Sequence, residues 1–251
     1  MIKIITPLLI AFSCAASVTE VTKPTKLFNG KNFDGWYVAA RGMGVLEEQD
    51  YFTVKDGMIH AYASHEHLSE QPYAGLITKA NYSRYHLTLE YKWGEKKFKP
   101  RHDFVRDAGI MYHVFGDDII WPNCLECQIQ EGDTGDAWII GSKATSKVSK
   151  VIRNYAPDGE PVTRGGTDPR FDRFHRGYCW EVPGWNKVEV IVDGDHSIFK
   201  VNGRVVNELF DSKRPDPETG EWIPLTEGKI LLQAEGAEIF YRNVIIKPLE
   251  D

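Results

Sequence analysis

Lys187-Val188-Glu189-Val190-Ile191-Val192, then Asp193-Gly194-Asp195, then Ser197-Ile198-Phe199-Lys200-Val201, then Asn202-Gly203-Arg204: this stretch decides the fold. Two short runs of β-branched and aromatic residues are bounded by turn residues, and Asn-Gly supplies the two positive-φ positions that a tight hairpin needs. The pattern recurs on both sides. Tyr51–Val54, Met58–Tyr62, Gly75–Thr78, Tyr85–Trp93, Ala108–Phe115, Leu125–Gln130, Ala137–Ile140, Lys229–Glu235 and Glu238–Lys247 read as further strands, and Lys55-Asp56-Gly57 as a turn. Most have period two, and no segment carries the apolar spacing of an amphipathic helix. The expectation is therefore all-β, a single-domain sandwich or jelly roll of about ten strands.

Composition agrees. At 251 residues the chain fits one large β domain, and 42% hydrophobic residues supply its core. Seven Trp, 11 Tyr and 12 Phe suit strands and flat polar ligands. With 30 Lys+Arg against 36 Asp+Glu the net charge is −6, which argues against a nucleic-acid partner. Residues 1–13 carry Lys3 and an apolar run too short to span a bilayer, so they read as an export signal. Ala11-Phe12-Ser13-Cys14 resembles a bacterial lipobox, which would lipidate Cys14 and give the protein its sole membrane attachment; cleavage near Ala15-Ala16 is the alternative. Residues 14–26, with Thr, Ser and Pro24, read as a tether, and 27–251 as the domain. The expected location is the periplasm or outer membrane of a Gram-negative bacterium, with the oligomeric state left open. Cys124 and Cys127 stand three apart in a strand pattern and face opposite ways, so free thiols or one disulfide to Cys179 are expected rather than a redox pair or a zinc site.

The chemistry should sit on the strand Leu125–Gln130. Leu125, Cys127 and Ile129 share its apolar face, while Glu126, Gln128 and Gln130 form a polar row on the other. Such a row is a poor strand-former on an ordinary solvated face, and its amides suit sugar hydroxyls. The acidic turn that follows leads through Asp136 to Trp138. In the preceding strand Ile110, Tyr112 and Val114 alternate with His113, and in Tyr85–Trp93 the apolar set leaves Glu90 and Lys92 opposite. If these faces coincide, Glu90, Lys92, His113, Glu126 and Gln128 form one acid/base cluster, with Lys92 keeping a carboxylate ionised and His113 titrating near neutrality. A divalent cation could sit at His113 among the carboxylates; no other cofactor and no defined metal ligand set is expected. Gly141–Gly184 reads as a long irregular excursion over the rim of the sheet, anchored by Tyr155, Phe171, Phe174, Tyr178 and Trp180 and lined by His175 and arginines. G-x-S-x-G, Walker-A and dinucleotide-binding motifs are missing, which disfavours serine hydrolysis, nucleotide hydrolysis and Rossmann-type chemistry.

Eight motifs in order carry a resemblance: Leu27-Phe28-Asn29-Gly30 through Gly35-Trp36, Val54-Lys55-Asp56-Gly57, Arg106-Asp107-Ala108-Gly109-Ile110, Glu126-Cys127-Gln128-Ile129, Gly184-Trp185-Asn186, Val201-Asn202-Gly203, Leu232-Gln233 and Tyr241-Arg242-Asn243-Val244. From Leu27 to Leu249 the chain resembles the 3-keto-disaccharide hydrolase family. The resemblance implies a concanavalin A-like jelly roll and a small-molecule glycoside substrate already oxidised at C3. It also places Glu126 and Gln128 in the family's Glu-x-Gln motif and Gln233 in its Leu-Gln motif. Here Ala234-Glu235-Gly236 follows that Gln where many members carry His, Asp107-Ala108-Gly109 stands for Asn-Ser-Gly, and His113 stands where several have Arg. A conventional glycosidase and a noncatalytic carbohydrate-binding module are the competing classes.

Overall fold

The computed structural model describes residues 17–249, and among them there are strands and turns but no helix. In chain order the strands are β1 (Thr25–Lys26), β2 (Trp36–Ala40), β3 (Gly44–Leu46), β4 (Phe52–Lys55), β5 (Met58–Ala61), β6 (Ala74–Thr78), β7 (Arg84–Lys97), β8 (Asp107–Phe115), β9 (Asn123–Gln130) and β10 (Ala137–Ile140). There follow β11 (Lys143–Val148), β12 (Glu160–Gly165), β13 (Phe171–Phe174), β14 (Asn186–Asp193), β15 (His196–Val201), β16 (Arg204–Pro215), β17 (Trp222–Pro224), β18 (Lys229–Ala234) and β19 (Ala237–Lys247). An eight-stranded sheet runs β13-β10-β9-β8-β18-β6-β2-β3; the second sheet runs β12-β11-β16-β15-β14-β7-β19-β5-β4, with β1 and β17 attached to β19 and β16. All pairings within both sheets are antiparallel, and the result is a jelly-roll sandwich.

The turn chemistry forms where it was expected. Asn202 and Gly203 adopt φ of 49° and 79° between β15 and β16, and Asp56 and Gly57 adopt 52° and 74° between β4 and β5. Leu125, Cys127 and Ile129 of one sheet meet Leu87, Leu89, Val188 and Val190 of the other in the core. Met111, Cys124, Ile140 and Leu231 instead form a small apolar patch on the outer face of the eight-stranded sheet. Cys124 and Cys127 thus face opposite ways, and both they and Cys179 are free thiols, so the disulfide alternative is not realised.

Two expectations change. The stretch 141–184 is not an irregular excursion: it contains β11, β12 and β13, with β11 paired to β16 and β13 forming the edge beside β10. In Lys143–Val148 the buried face is built from Ala144, Ser146 and Val148, too small and polar a set to reveal a strand by hydrophobicity. From Val18 onward the expected tether lies along the body, with Thr19 N–H donating to the Asn81 carbonyl (2.8 Å) and Thr25 and Lys26 paired to Ile246 and Ile245. The signal segment 1–13 and Cys14 lie outside the described residues.

Candidate active site

The outer face of the eight-stranded sheet can be read as rows of cross-strand neighbours. One row is Arg173, Trp138, Glu126, Met111. In the next, Gln128 faces Gly109, and on β18 Gln233 pairs with Gly75. A third places Asp107 between Gln130 and Glu235. Gly109 makes the hollow at the centre. A β-carbon added there would lie 1.8 Å from Glu126 Oε1 and 3.2 Å from Gln233 Oε1, so glycine leaves the space that the Glu126 carboxyl occupies.

Around this hollow is a cavity of about 360 Å³, lined by Glu126, Gln128, Gln130, Asp107, Trp138, Ile140, Phe171 and Arg173 from the strands and by Arg101, Trp121 and Glu235 from the connections. Arg101 joins two of the carboxylates, with Nη2 2.6 Å from Asp107 Oδ2 and Nη1 2.9 Å from Glu235 Oε1. Asp107 also accepts from the Gln128 and Gln130 amides at 2.8 and 2.7 Å, and Glu235 from Gln233 Nε2 (2.8 Å) and Trp121 Nε1 (3.2 Å). Glu126 accepts no hydrogen bond from any described residue, although it is 3% exposed. Because Gln128 and Gln130 spend their NH₂ groups on Asp107, each can offer a carbonyl oxygen to a sugar hydroxyl.

Three close, buried carboxyls resist ionising together. Burial, reinforced by the charges of Asp107 and Glu235, raises Glu126 well above the ordinary carboxylate range. Burial and the nearby Glu235 push Asp107 up to about 7, with Arg101 and the Gln130 hydrogen bond pulling the other way. Glu235 is raised by burial, partly offset by Arg101. Burial thus biases Glu126 toward its protonated form, beside Asp107, which is poised near neutrality to accept or release a proton.

Glu126, Gln128, Gln130, Asp107 and Trp138 come together as one lining, with Gln233 buried beneath it. The other expected members lie elsewhere. Glu90 and Lys92 have the expected orientation within β7, but β7 belongs to the second sheet: Glu90 pairs with Arg242 (2.6 Å), and Lys92 sits over the Trp185 and Phe240 rings. His113 is turned out of the site by a bulge. Its backbone is left-handed (φ 50°), the register shifts between Tyr112 and Phe115, and Val114 takes the outer face in its place. His113 is fully buried, Nε2 lies 2.8 Å from the Gly194 carbonyl, and burial pushes it down to about 4, so it is neutral. Among the described residues no carboxylate pairs with His113, and the positive charge facing the carboxylates of the cavity belongs to Arg101. Asp136 is wholly buried and tied to the Arg176 backbone and guanidinium (2.8 and 2.9 Å) and to His175 (3.1 Å), so these three brace the corner behind Trp138 without lining the cavity.

Arg101, Trp121 and Glu235 went unread as site residues. Arg101 and Trp121 lie in connections without periodicity, and nothing in the sequence announces that they fold back over β8 and β18. Glu235 had one signal, its place two residues beyond Gln233 of the Leu-Gln motif.

The fold and site define the class as a jelly-roll protein with a polar, carboxyl-bearing cavity on the outer face of one sheet. The chain belongs to the 3-keto-alpha-glucoside-1,2-lyase-like domain family, whose model matches residues 23–247. Among solved structures it is similar to two candidate glycosyl hydrolases from Parabacteroides distasonis ATCC 8503. One is 21% identical with a TM-score of 0.52 over 91% of this chain and 94% of that one. The other is 19% identical with a TM-score of 0.54 over 91% and 100%. A Bacillus subtilis protein with a galectin-like fold matches at 12% identity and a TM-score of 0.51, over 93% and 98%. No curated protein matches the chain. Family membership assigns a carbohydrate-active function.

Proposed function

We propose that the protein is an exported enzyme that cleaves the glycosidic bond of 3-keto-glycosides by elimination and hydration. The observation that carries this reading is the pair of carboxyls in unequal settings on the two sides of the Gly109 hollow, Glu126 buried without a hydrogen-bond partner and Asp107 held by Arg101, Gln128 and Gln130. A C3 ketone acidifies the hydrogen on C2. Asp107 accepts that proton, the C2–H electrons form the C2–C3 enolate, and the enolate expels the C1 oxygen, which takes a proton from Glu126. Water then adds at C1 of the resulting enone, Asp107 exchanges its proton with that solvent before returning one to C2, and Glu126 is reprotonated from the adding water. Gln128 and Gln130 orient both Asp107 and the sugar hydroxyls, and Arg101 keeps Asp107 within reach of ionisation. No cofactor is required by this sequence of steps.

The aromatic surfaces of Trp121, Trp138 and Phe171 would also suit a noncatalytic binding module. Glu126 favours catalysis: a buried carboxyl without a partner costs folding stability and adds nothing to simple sugar binding. The test is incubation with 4-nitrophenyl β-D-glucoside and its 3-keto derivative side by side. Nitrophenol release from the keto compound alone is expected. Release from both equally would indicate a conventional glycosidase, and release from neither, with binding retained, a binding module.

A further inference from the structure

The row through Glu126 continues past the carboxyls. Arg173 is the cross-strand neighbour of Trp138, which is the neighbour of Glu126. Adjacent strands lie about 4.8 Å apart, so Arg173 stands about 10 Å from Glu126 with an indole between them. A glycosidic oxygen held at Glu126 would therefore lay the first ring of its aglycone on Trp138 and point that ring's far substituent at Arg173.

The cations at this end are incompletely matched. Arg173 lies over the Trp138 ring, 5.0 Å from its centroid, and its nearest carboxylate oxygen is Asp136 Oδ2 at 3.6 Å. Asp136 is already satisfied by Arg176 and His175 at shorter range. Arg173 remains 32% exposed and lines the cavity. Arg170, at the mouth of the same strand, bonds only neutral groups, the Asn123 amide oxygen (3.0 Å) and the Trp121 carbonyl (2.6 Å), and packs over Phe171. The cavity is thus polarised, with three carboxyls and Arg101 at one end and Arg173 with aromatic rings at the other, and Arg170 packs behind Phe171 outside the lining.

We propose that the β10–β13 end is an aglycone subsite for an aromatic ring bearing an anionic group, with the ring on Trp138 and the anion on Arg173. The substrate class would be 3-keto-glycosides of hydroxylated aryl carboxylates. A guanidinium already stacked on an indole is held for a charge-assisted bond to such a carboxylate. The assignment of the leaving oxygen to Glu126 rests on the reaction proposed above; the charge preference does not.

The experiment compares binding of 4-carboxyphenyl and 4-carbamoylphenyl β-D-glucosides by calorimetry or tryptophan quenching. The two are matched in shape and differ in charge, and neither has the 3-keto group, so neither is turned over by the proposed route. The carboxylate is expected to bind about tenfold more tightly, with the advantage falling as salt rises. It should be lost in Arg173→Gln and partly kept in Arg173→Lys. Equal affinity of the wild type for both, no measurable binding of the carboxylate, or a preference that survives in a folded Arg173→Gln would overturn the subsite. If the preference holds while 3-keto-aryl glucosides prove inert, the reaction is wrong and the subsite stands; turnover without the preference gives the reverse.

Discussion

Gly109→Ala adds one methyl group where the structure has the Glu126 carboxyl. The backbone there is ordinary strand, so alanine meets no φ/ψ penalty, and the perturbation falls on its neighbours. The new carbon would stand 1.8 Å from Glu126 Oε1 and 2.8 Å from Cδ, whereas a relaxed contact needs about 3.4 Å or more, so the carboxyl must move by over an ångström. Overpacking of this kind costs about 1–3 kcal/mol, and in a chain of this size each kcal/mol lowers Tm by about 2–4 °C. A reacting group displaced by about 1 Å costs on the order of 10²-fold in rate. The expected result is a folded variant, melting a few degrees lower, with kcat/KM on a 3-keto-glycoside reduced about a hundredfold. Adding the same methyl in a Glu126→Ala background, where the carboxyl is gone, should cost little further stability, and the non-additivity measures the contact directly. Gly109→Ala activity within about threefold of wild type, at any Tm, would refute the placement of Glu126 as a reacting group.

Glu126→Gln should lower kcat by about 10²–10⁴ with a smaller change in KM. It should also raise Tm at pH 8. A folded-state pKa above the unfolded value near 4.3 means that stability is intact below that pH and is lost as pH rises through the folded value, and the amide abolishes this loss. Melting curves from pH 4 to 8 would read it as a difference that opens with pH. Arg101→Gln removes the cation that holds Asp107 down, so the acid limb of the kcat/KM profile, expected near pH 7, should move upward and activity at pH 6 fall by about tenfold or more. His113→Asn, which tolerates the left-handed backbone, should leave kcat within about twofold at pH 7.5. Because the folded His113 pKa is depressed to about 4, its stability contribution is present above about 6.5 and is lost as pH falls toward 4, so this variant should lose less stability on acidification, as melts across that window would show.

The alternation within each strand was legible, and so was the side of the strand that each residue takes: Glu126, Gln128 and Gln130 on β9 and Glu90 and Lys92 on β7 were all read correctly at that level. What alternation does not encode is which strands share a sheet. Glu90 and Lys92 share a face with each other but belong to the sheet opposite Glu126. A bulge is equally silent, since one left-handed residue at His113 exchanges the roles of His113 and Val114 without altering composition. Asp136 was drawn toward the site by its proximity in sequence to Trp138, and His175 by its place in the 141–184 stretch expected to line the rim, yet a fully buried Asp that meets two arginines and a histidine is committed to bracing. Arg101 and Trp121 reach the cavity from connections whose paths depend on tertiary packing, and local sequence holds no record of them. Strands such as β11, whose buried side is Ala144, Ser146 and Val148, escape hydrophobic patterning for a related reason: the neighbours β12 and β16 make them strands.

The central claim is proton abstraction at C2, and isotope exchange reads it directly. A 3-keto-glucoside turned over in D₂O would be followed by NMR, with C4, which is also adjacent to the ketone, and an enzyme-free sample as internal and external controls. The account predicts deuterium at C2 of the released 3-keto sugar in step with aglycone release, ahead of exchange at C4, and loss of both release and exchange in Asp107→Asn. Aglycone release with C2 still carrying its original hydrogen would contradict it.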